Sequence, residues 1–432
     1  MITNDESLIA AGAFAEAMAG LGPFEPAPRV AVAVSGGADS MALSLLVAVW
    51  ARAMGGSVLA LIVDHGLRAE SATEAGEAAS RLQACGIAPR VLRLTGLVHG
   101  PGLASRARAM RFAALTSACA EAGIVHLLLG HHAADQAETV LIRVLGGTGP
   151  TGSAAMPALA EGAQIRLLRP LLRIPPLDLR AYLLRAGVAW TEDPSNDDVR
   201  ALRPRLRMLR ADREGAGAAT SALVAASAAS GAARADQDAL VAMLLSERVS
   251  FRPEGFAVID GRPLSPAALS ALIQAVSGAA FPPSPRQVAA LAASPRPATL
   301  AGTRLVPSRD GLLLVREAAA MGPPVAALPG AVWDGRFRLP LKSSPPAGAV
   351  LGPLGGEAAK LRRRSPLPAS VLYTLPALRC GQSLIAVPHL LYPDEEVCGR
   401  VPLIVCPPRA ASGAPFHIAQ GRGCQTGEGT LC

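Results

Sequence analysis

The stretch Arg29-Val30-Ala31-Val32-Ala33-Val34-Ser35-Gly36-Gly37-Ala38-Asp39-Ser40-Met41 decides the fold. Its first six residues form an apolar run of strand length, and a helical pattern opens at Met41 and continues to Ala53. A strand that ends in Ser-Gly-Gly and turns at once into a helix gathers bare backbone N–H groups, the helix's positive end and two hydroxyls at one point. That arrangement suits a phosphate, so the chain is expected to handle a nucleotide.

Working outward, further strand candidates lie at Val58 to Val63, Pro89 to Leu94, Ile124 to Leu129 and Ile165 to Leu171. Helical patterns fall between them at Ser71 to Ala84, Ala104 to Ala122 and Asp135 to Val144, and Pro175-Pro176 opens another that runs through Arg185. This alternation predicts an α/β fold: an N-terminal parallel sheet with helices on both faces, over residues 1–213. An alanine-rich helical linker and a small mixed domain follow over 214–320, with a hairpin at Thr303 to Val315 turning on Asp310 and Gly311. A Pro- and Gly-rich boundary at Met321 to Gly330 leads to an α+β accessory region at 331–408, which carries the basic run Lys360 to Arg364. Residues 409–432 are small and polar enough for a disordered tail.

With 432 residues and a hydrophobic fraction of 50%, the chain has material for two or three cores. The net charge of +8 invites a polyanionic partner, although Lys342 and Lys360 are the only lysines, and so arginine-rich a usage also reflects coding bias. Seven scattered cysteines without a C-x-x-C pair exclude a disulfide framework, a zinc ribbon and an iron–sulfur site. With acids at Asp5 and Glu6 and no basic n-region, the N-terminus does not resemble a secretory signal, and no apolar run reaches spanning length. A cytoplasmic protein with no membrane partner is expected.

In an open parallel sheet, ligands bind where the carboxyl ends of neighbouring strands meet. Three of those ends carry polar residues here: Ser35 to Ser40, Asp64-His65-Gly66, and Gly130-His131-His132. Asp135 and Glu138, three residues apart, share a face at the start of the following helix, where two carboxylates opposite a phosphate loop suit magnesium, with Asp39 as a third oxygen donor. Taken singly, Asp39 is equally a helix cap, and Asp135 and Glu138 favourable first-turn charges. The agreement of three strand ends favours a site. His131-His132 lacks a third ligand for zinc and fits a phosphate-contacting role better. Neither lysine follows a glycine loop, which excludes a Walker A motif, and Gly147-Thr148-Gly149-Pro150-Thr151-Gly152 follows a helix where a dinucleotide fingerprint would follow a strand.

Ser35-Gly36-Gly37-Ala38-Asp39-Ser40 resembles the SGGxDS loop of the N-type ATP pyrophosphatases, the PP-loop family with its adenine nucleotide alpha hydrolase-like fold. Asp64-His65-Gly66-Leu67-Arg68, His131-His132 through Thr139, Gly146-Gly147-Thr148-Gly149, Arg169-Pro170-Leu171-Leu172 and Trp190-Thr191-Glu192-Asp193-Pro194-Ser195-Asn196 resemble, in this order, the tRNA(Ile)-lysidine synthase family. Residues 29 to 210 carry most of the likeness, with a weaker echo at Tyr373 to Leu378 and Ala386 to His389. That family's fold and chemistry are therefore implied. ATP would adenylate the C2 oxygen of the wobble cytidine in the CAU anticodon of tRNA(Ile), and free L-lysine would then displace AMP to form lysidine.

The resemblance assigns ATP to Ser35, Gly36, Gly37, Ala38, Asp39 and Ser40, with the adenine near Asp64 and His65, and His131 beside it. Asp39, Asp135 and Glu138 would hold Mg2+ or orient the attacking group, and Arg111 would join them in catalysis. Arg108 and Arg111 share a helical face that meets either ATP phosphates or the lysine carboxylate. The arginines from Arg200 to Arg213, chiefly Arg200, Arg203, Arg205 and Arg207, are concentrated enough to hold tRNA phosphates, or to form a solvated helix face. The resemblance admits a homodimer without fixing the oligomeric state. Two departures stand out: Ala134 replaces the first of two consecutive acids, and Pro204 falls where an asparagine is usual. A tRNA thiolase would need paired cysteines, an amidotransferase would need an N-terminal cysteine, and a catalytically idle RNA-binding protein would have no use for Asp39, Asp135 and Glu138 together.

Overall fold

A computed structural model of the chain describes residues 7–67, 70–98, 100–162, 164–192, 202–209, 212, 215–309, 311–408 and 416–419. Several positions singled out in the sequence lie outside the described residues: Arg68, 193–196, Arg200, Arg210, Arg213 and Asp310. The chain divides into two compact units, residues 1–235 with 416–432, and residues 236–415.

The first unit opens with helix α1 (Ser7–Ala19) and then alternates strand and helix: β1 (Arg29–Val34), α2 (Ala38–Ala53), β2 (Ser57–Asp64), α3 (Ser71–Ala84), β3 (Ala88–Arg93), α4 (Leu103–Ala122), β4 (His126–Leu129) and α5 (Ala133–Leu145). The short helix α6 (Pro150–Ser153) precedes β5 (Leu159–Glu161) and β6 (Arg166–Leu168), followed by α7 (Pro176–Ala186), α8 (Leu202–Leu209) and α9 (Ala218–Arg248). Six strands form one sheet in the order β3-β2-β1-β4-β6-β5. All neighbours are parallel except β5, which runs antiparallel to β6 and makes the sheet mixed at that edge.

Period-two alternation on β1 explains why helices cover both faces. Val30, Val32 and Val34 join Met41, Leu46, Leu82 and Leu183 in one core, built with α2, α3 and α7. Ala31 and Ala33 point the other way, into a core with Leu61, Leu115, Cys119, Leu127 and Leu129 that α4 covers. Since α2 and α4 pack on opposite faces, the loops at the strands' carboxyl ends open into a crevice between them.

Part of the expected tail is ordered. Phe416 is buried beneath the Arg234 guanidinium at 4.7 Å, and the Ala158 N–H donates to the His417 carbonyl at 2.8 Å. The polar composition of 409–432 concealed the short run Phe416-His417-Ile418, which has apolar surface to bury.

The second unit has a five-stranded antiparallel sheet with helices Pro266–Ser277 and Pro285–Ala293, and its hairpin pairs Thr303–Ser308 with Gly311–Arg316. A four-stranded and a three-stranded sheet complete it. Buried Asp334 there accepts hydrogen bonds from Arg316 and Arg336, so that charge is paired. Among the described residues, no helix is long and apolar enough to cross a membrane.

Candidate functional site

The loop after β1 is wound by its own serines. The Ser35 N–H donates to Ser40 Oγ at 3.2 Å, and that hydroxyl donates to the Gly37 carbonyl at 2.9 Å. Gly36 turns the chain at φ +86°, which a side chain would resist, and its carbonyl accepts from Thr191 N–H at 2.9 Å. Thr191 in turn accepts from Arg81 at 2.9 Å, so the Trp190-Thr191-Glu192 stretch braces the loop from outside. On the other flank the end of β4 presses close: a Cβ on Gly130 would lie 3.3 Å from the backbone of Asp39 and Ser40. The result is a fixed backbone cradle at the start of α2, with Gly37 as N-cap and no side chain closing it.

Across the crevice, α5 is capped by His132, whose N–H donates to Asp135 Oδ2 at 3.2 Å. The His132 imidazole Nε2 lies 3.4 Å from Asp39 Oδ2 and 3.5 Å from Asp135 Oδ2, joining the loop acid to the helix acid. Burial pushes its pKa down, but the two carboxylates outweigh that effect and raise it above the ordinary histidine value. Asp135 is pushed up by burial and pulled further down by His132, His131 and Arg203, so it stays ionised.

The arginines expected to grip tRNA behave differently from one another. Arg203 and Arg207 lie one turn apart on α8 and face the two acids of α5. Arg207 Nε donates to Glu138 Oε1 at 2.5 Å, Arg203 reaches Asp135 at 3.3 Å and Glu138 at 3.7 Å, and Arg207 lies 4.0 Å from Asp135. They are set against the acidic helix, a contact that the run of arginines did not announce. Arg205 is exposed, and Arg200 lies outside the described residues. Pro204 sits in the first turn of α8, where its missing N–H removes no helical bond.

The three carboxylates are not equivalent as metal ligands. Magnesium needs oxygens with lone pairs to spare. The Asp39 side chain, 36% exposed beside the cradle, fits that role. Glu138 is fully buried on Arg207, and Asp135 is engaged by His132 and Arg203, so Asp39 is the most open of the three. Among the described residues, no group of three or more His, Cys, Asp or Glu is arranged to hold a metal ion. Ala134 is buried where the first acid was missed; a Cβ on Gly215 would fall 2.8 Å from its own, so that position meets packing and not a ligand.

At the end of β2, Asp64 accepts from Ser71 Oγ at 2.8 Å and from Gly66 N–H at 2.9 Å, and these bonds hold its carboxyl below the usual range. It pins the turn that presents His65, a positioning task the sequence did not reveal. Burial, then the charge of Arg111, keeps the His65 pKa below its ordinary value. Burial pushes His131 down to about 4, so it stays neutral. Arg106 is tied to the Val98 and Pro101 carbonyls, whereas Arg108 rests on Phe112 at 5.1 Å.

A mostly parallel sheet with a glycine-serine phosphate cradle at the end of β1 and an acid in the first turn of α2 defines a PP-loop nucleotide-binding domain, and residues 11–211 match the PP-loop domain family. The chain is 41% identical over 310 residues to the tRNA(Ile)-lysidine synthase of Ralstonia nicotianae, a match covering 70% of this chain and 62% of that one. Identity to the namesake of Mesorhizobium japonicum is 37% over 350 residues, 76% of each chain, and to that of Ruegeria pomeroyi 32% over 377 residues, 84% of this chain and 89% of that one. The chain belongs to the tRNA(Ile)-lysidine synthase family. It nonetheless spans only about half, 51%, of the relative from Bradyrhizobium diazoefficiens.

Proposed function

We propose that the protein is an ATP-dependent carbon–nitrogen ligase of the cytoplasm that converts the wobble cytidine of a CAU-bearing tRNA(Ile) to lysidine. In the first step the cytidine O2 attacks the α-phosphorus of ATP, the bond to the β-phosphate oxygen breaks and pyrophosphate leaves. In the second, the ε-amine of L-lysine attacks C2, the C2–O bond breaks, AMP departs and the amine loses its surplus protons. The observation that carries this reading is the cradle at Ser35 to Ser40, held within reach of the α5 acids by the Asp39–His132–Asp135 contact.

Backbone N–H groups of the cradle and the hydroxyls of Ser35 and Ser40 would stabilise the charge that grows on pyrophosphate. Asp39 would hold Mg2+ against the phosphates, and the bound ion would neutralise their charge. Glu138 and Asp135, fixed by Arg207 and Arg203, would set the geometry of α5, so catalysis is mainly positioning. The net charge of +8, and exposed Arg205 in particular, favours RNA as the polyanion.

The test is direct. The protein is incubated with ATP, magnesium, lysine and a tRNA(Ile) transcript bearing CAU, and the digested nucleosides are weighed. The wobble cytidine should gain lysine with loss of water; an unchanged mass would sink the assignment.

A further inference from the structure

Glycine on both sides of the Gly36–Gly37 peptide removes the steric barrier that would stop it from flipping. The peptide is trans, so its carbonyl and its N–H point in opposite directions. On the outer side, the Gly36 carbonyl accepts from the Thr191 N–H at 2.9 Å. On the inner side, the Gly37 N–H faces Ser35 Oγ at 3.4 Å, a long bond that an anionic oxygen can displace. A flipped peptide would aim its carbonyl oxygen, a partial negative charge, at the place where a phosphate has to sit. Whatever holds Thr191 against Gly36 therefore also decides whether the cradle receives an anion.

Thr191 is held by a side chain far from it in sequence. The Arg81 guanidinium donates to Thr191 Oγ1 at 2.9 Å across 110 positions, and its other arm is tied to Glu77 Oε2 at 2.7 Å, one turn earlier on α3. Ala78 of the same helix closes the floor: a Cβ on Gly36 would lie 3.5 Å from its own. The residues beside Thr191 are fixed as well. Trp190 packs against the core that α2, α3 and α7 share and donates to Glu192 Oε1 at 2.7 Å, and Arg180 of α7 lies 3.7 Å from that carboxylate. The outer wall of the cradle is thus set by α3 through Arg81.

We propose that Arg81 and Thr191 are positioning residues for nucleotide binding, which hold the Gly36–Gly37 peptide with its N–H turned to the pyrophosphate of ATP. Their effect passes through the peptide and not through contact with the nucleotide. The inference rests on the reading of the cradle as the ATP phosphate site, and not on the identity of the acceptor base or amine.

The experiment titrates the full chain with ATP and magnesium, with inorganic pyrophosphate and with AMP, in the absence of tRNA and lysine. Arg81→Met keeps the aliphatic stem and removes the guanidinium, whereas Thr191→Val keeps the shape and the backbone N–H and removes the hydroxyl. Each should weaken ATP and pyrophosphate about fivefold, the worth of one net hydrogen bond, and leave AMP within about twofold. The double variant should also lose only about fivefold, because both changes cut the same contact, and Thr191→Ser should bind as the wild type does. Multiplied losses in the double variant would overturn the proposal, since the two residues would then act separately. ATP and AMP weakened alike would overturn it as a general loosening of the domain, and so would unmoved affinity in every variant. A wild type that binds neither ATP nor pyrophosphate would remove the reading of the cradle and the proposal with it. Intact ATP binding with the expected shifts, but no lysidine in the coupling assay, would remove the coupling reading and leave this inference standing.

Discussion

Two sets of arginines border the same crevice and have opposite neighbours. Arg203 and Arg207 of α8 are matched against Asp135 and Glu138, whereas Arg108, Arg111 and Arg169 have no carboxylate partner among the described residues. The difference teaches that an arginine's task is set by the charge that faces it, and not by its density along the chain. Matched arginines are spent on holding acids in place. Unmatched ones keep their charge for a ligand.

The largest effect should come from breaking the matched set. Arg207→Ala leaves Glu138 as a fully buried, poorly compensated carboxylate, and chemical denaturation should show a loss of about 3–5 kcal/mol. Arg108→Ala, made in parallel, should change stability by less than about 1 kcal/mol, because it removes an exposed, like-charged neighbour and only its contact with the Phe112 ring. Equal losses in the two variants would erase the distinction.

A smaller effect follows from His131, which stands beside the unmatched set. Its folded pKa lies near 4, against an ordinary 6.5, so between those values the unfolded chain binds more protons than the folded one. Stability should therefore fall as pH drops through that window, by on the order of 2 kcal/mol, and His131→Asn should flatten this slope. Unfolding curves collected from pH 7 to pH 4 decide the matter; the same slope in both proteins would mean that His131 does not carry it.

Gly130→Ala sharpens the comparison from the cradle's side. The added methyl meets the backbone of Asp39 and Ser40 at 3.3 Å, so the loop must give, and a cost of about 1–2 kcal/mol is expected together with a raised KM for ATP. Smallest of all, Arg205→Ala should leave stability untouched and lower the salt dependence of tRNA binding by about one unit in the log–log slope. Arg203→Ala, judged by the same titration, should move the slope less.

How much of this was legible depended on how far each signal reached along the chain. The bounds of β1 and α3 follow from local patterns and match the expected ranges, as do β2, β3, α4 and α5 to within a few residues. The antiparallel strand β5 is three residues long and has no pattern of its own; only its pairing with β6 makes it a strand. For the site, the cradle was readable because sequence neighbours build it. The partners of Arg203 and Arg207 were not, since Asp135 and Glu138 lie 68 and 69 positions away, and a run of arginines looks the same whether acids or solvent faces it. Asp64 was hidden likewise: nothing in Asp-His-Gly says that the carboxylate will fold back onto Gly66 and Ser71.

The measurement closest to the central claim is the exchange of labelled pyrophosphate into ATP in the presence of tRNA(Ile) and magnesium, with lysine left out. The wild type should exchange, and Asp39→Ala should lose at least about a hundredfold of the rate while its affinity for tRNA stays within about threefold. Exchange that survives in Asp39→Ala, or that is absent from the wild type, would contradict the account.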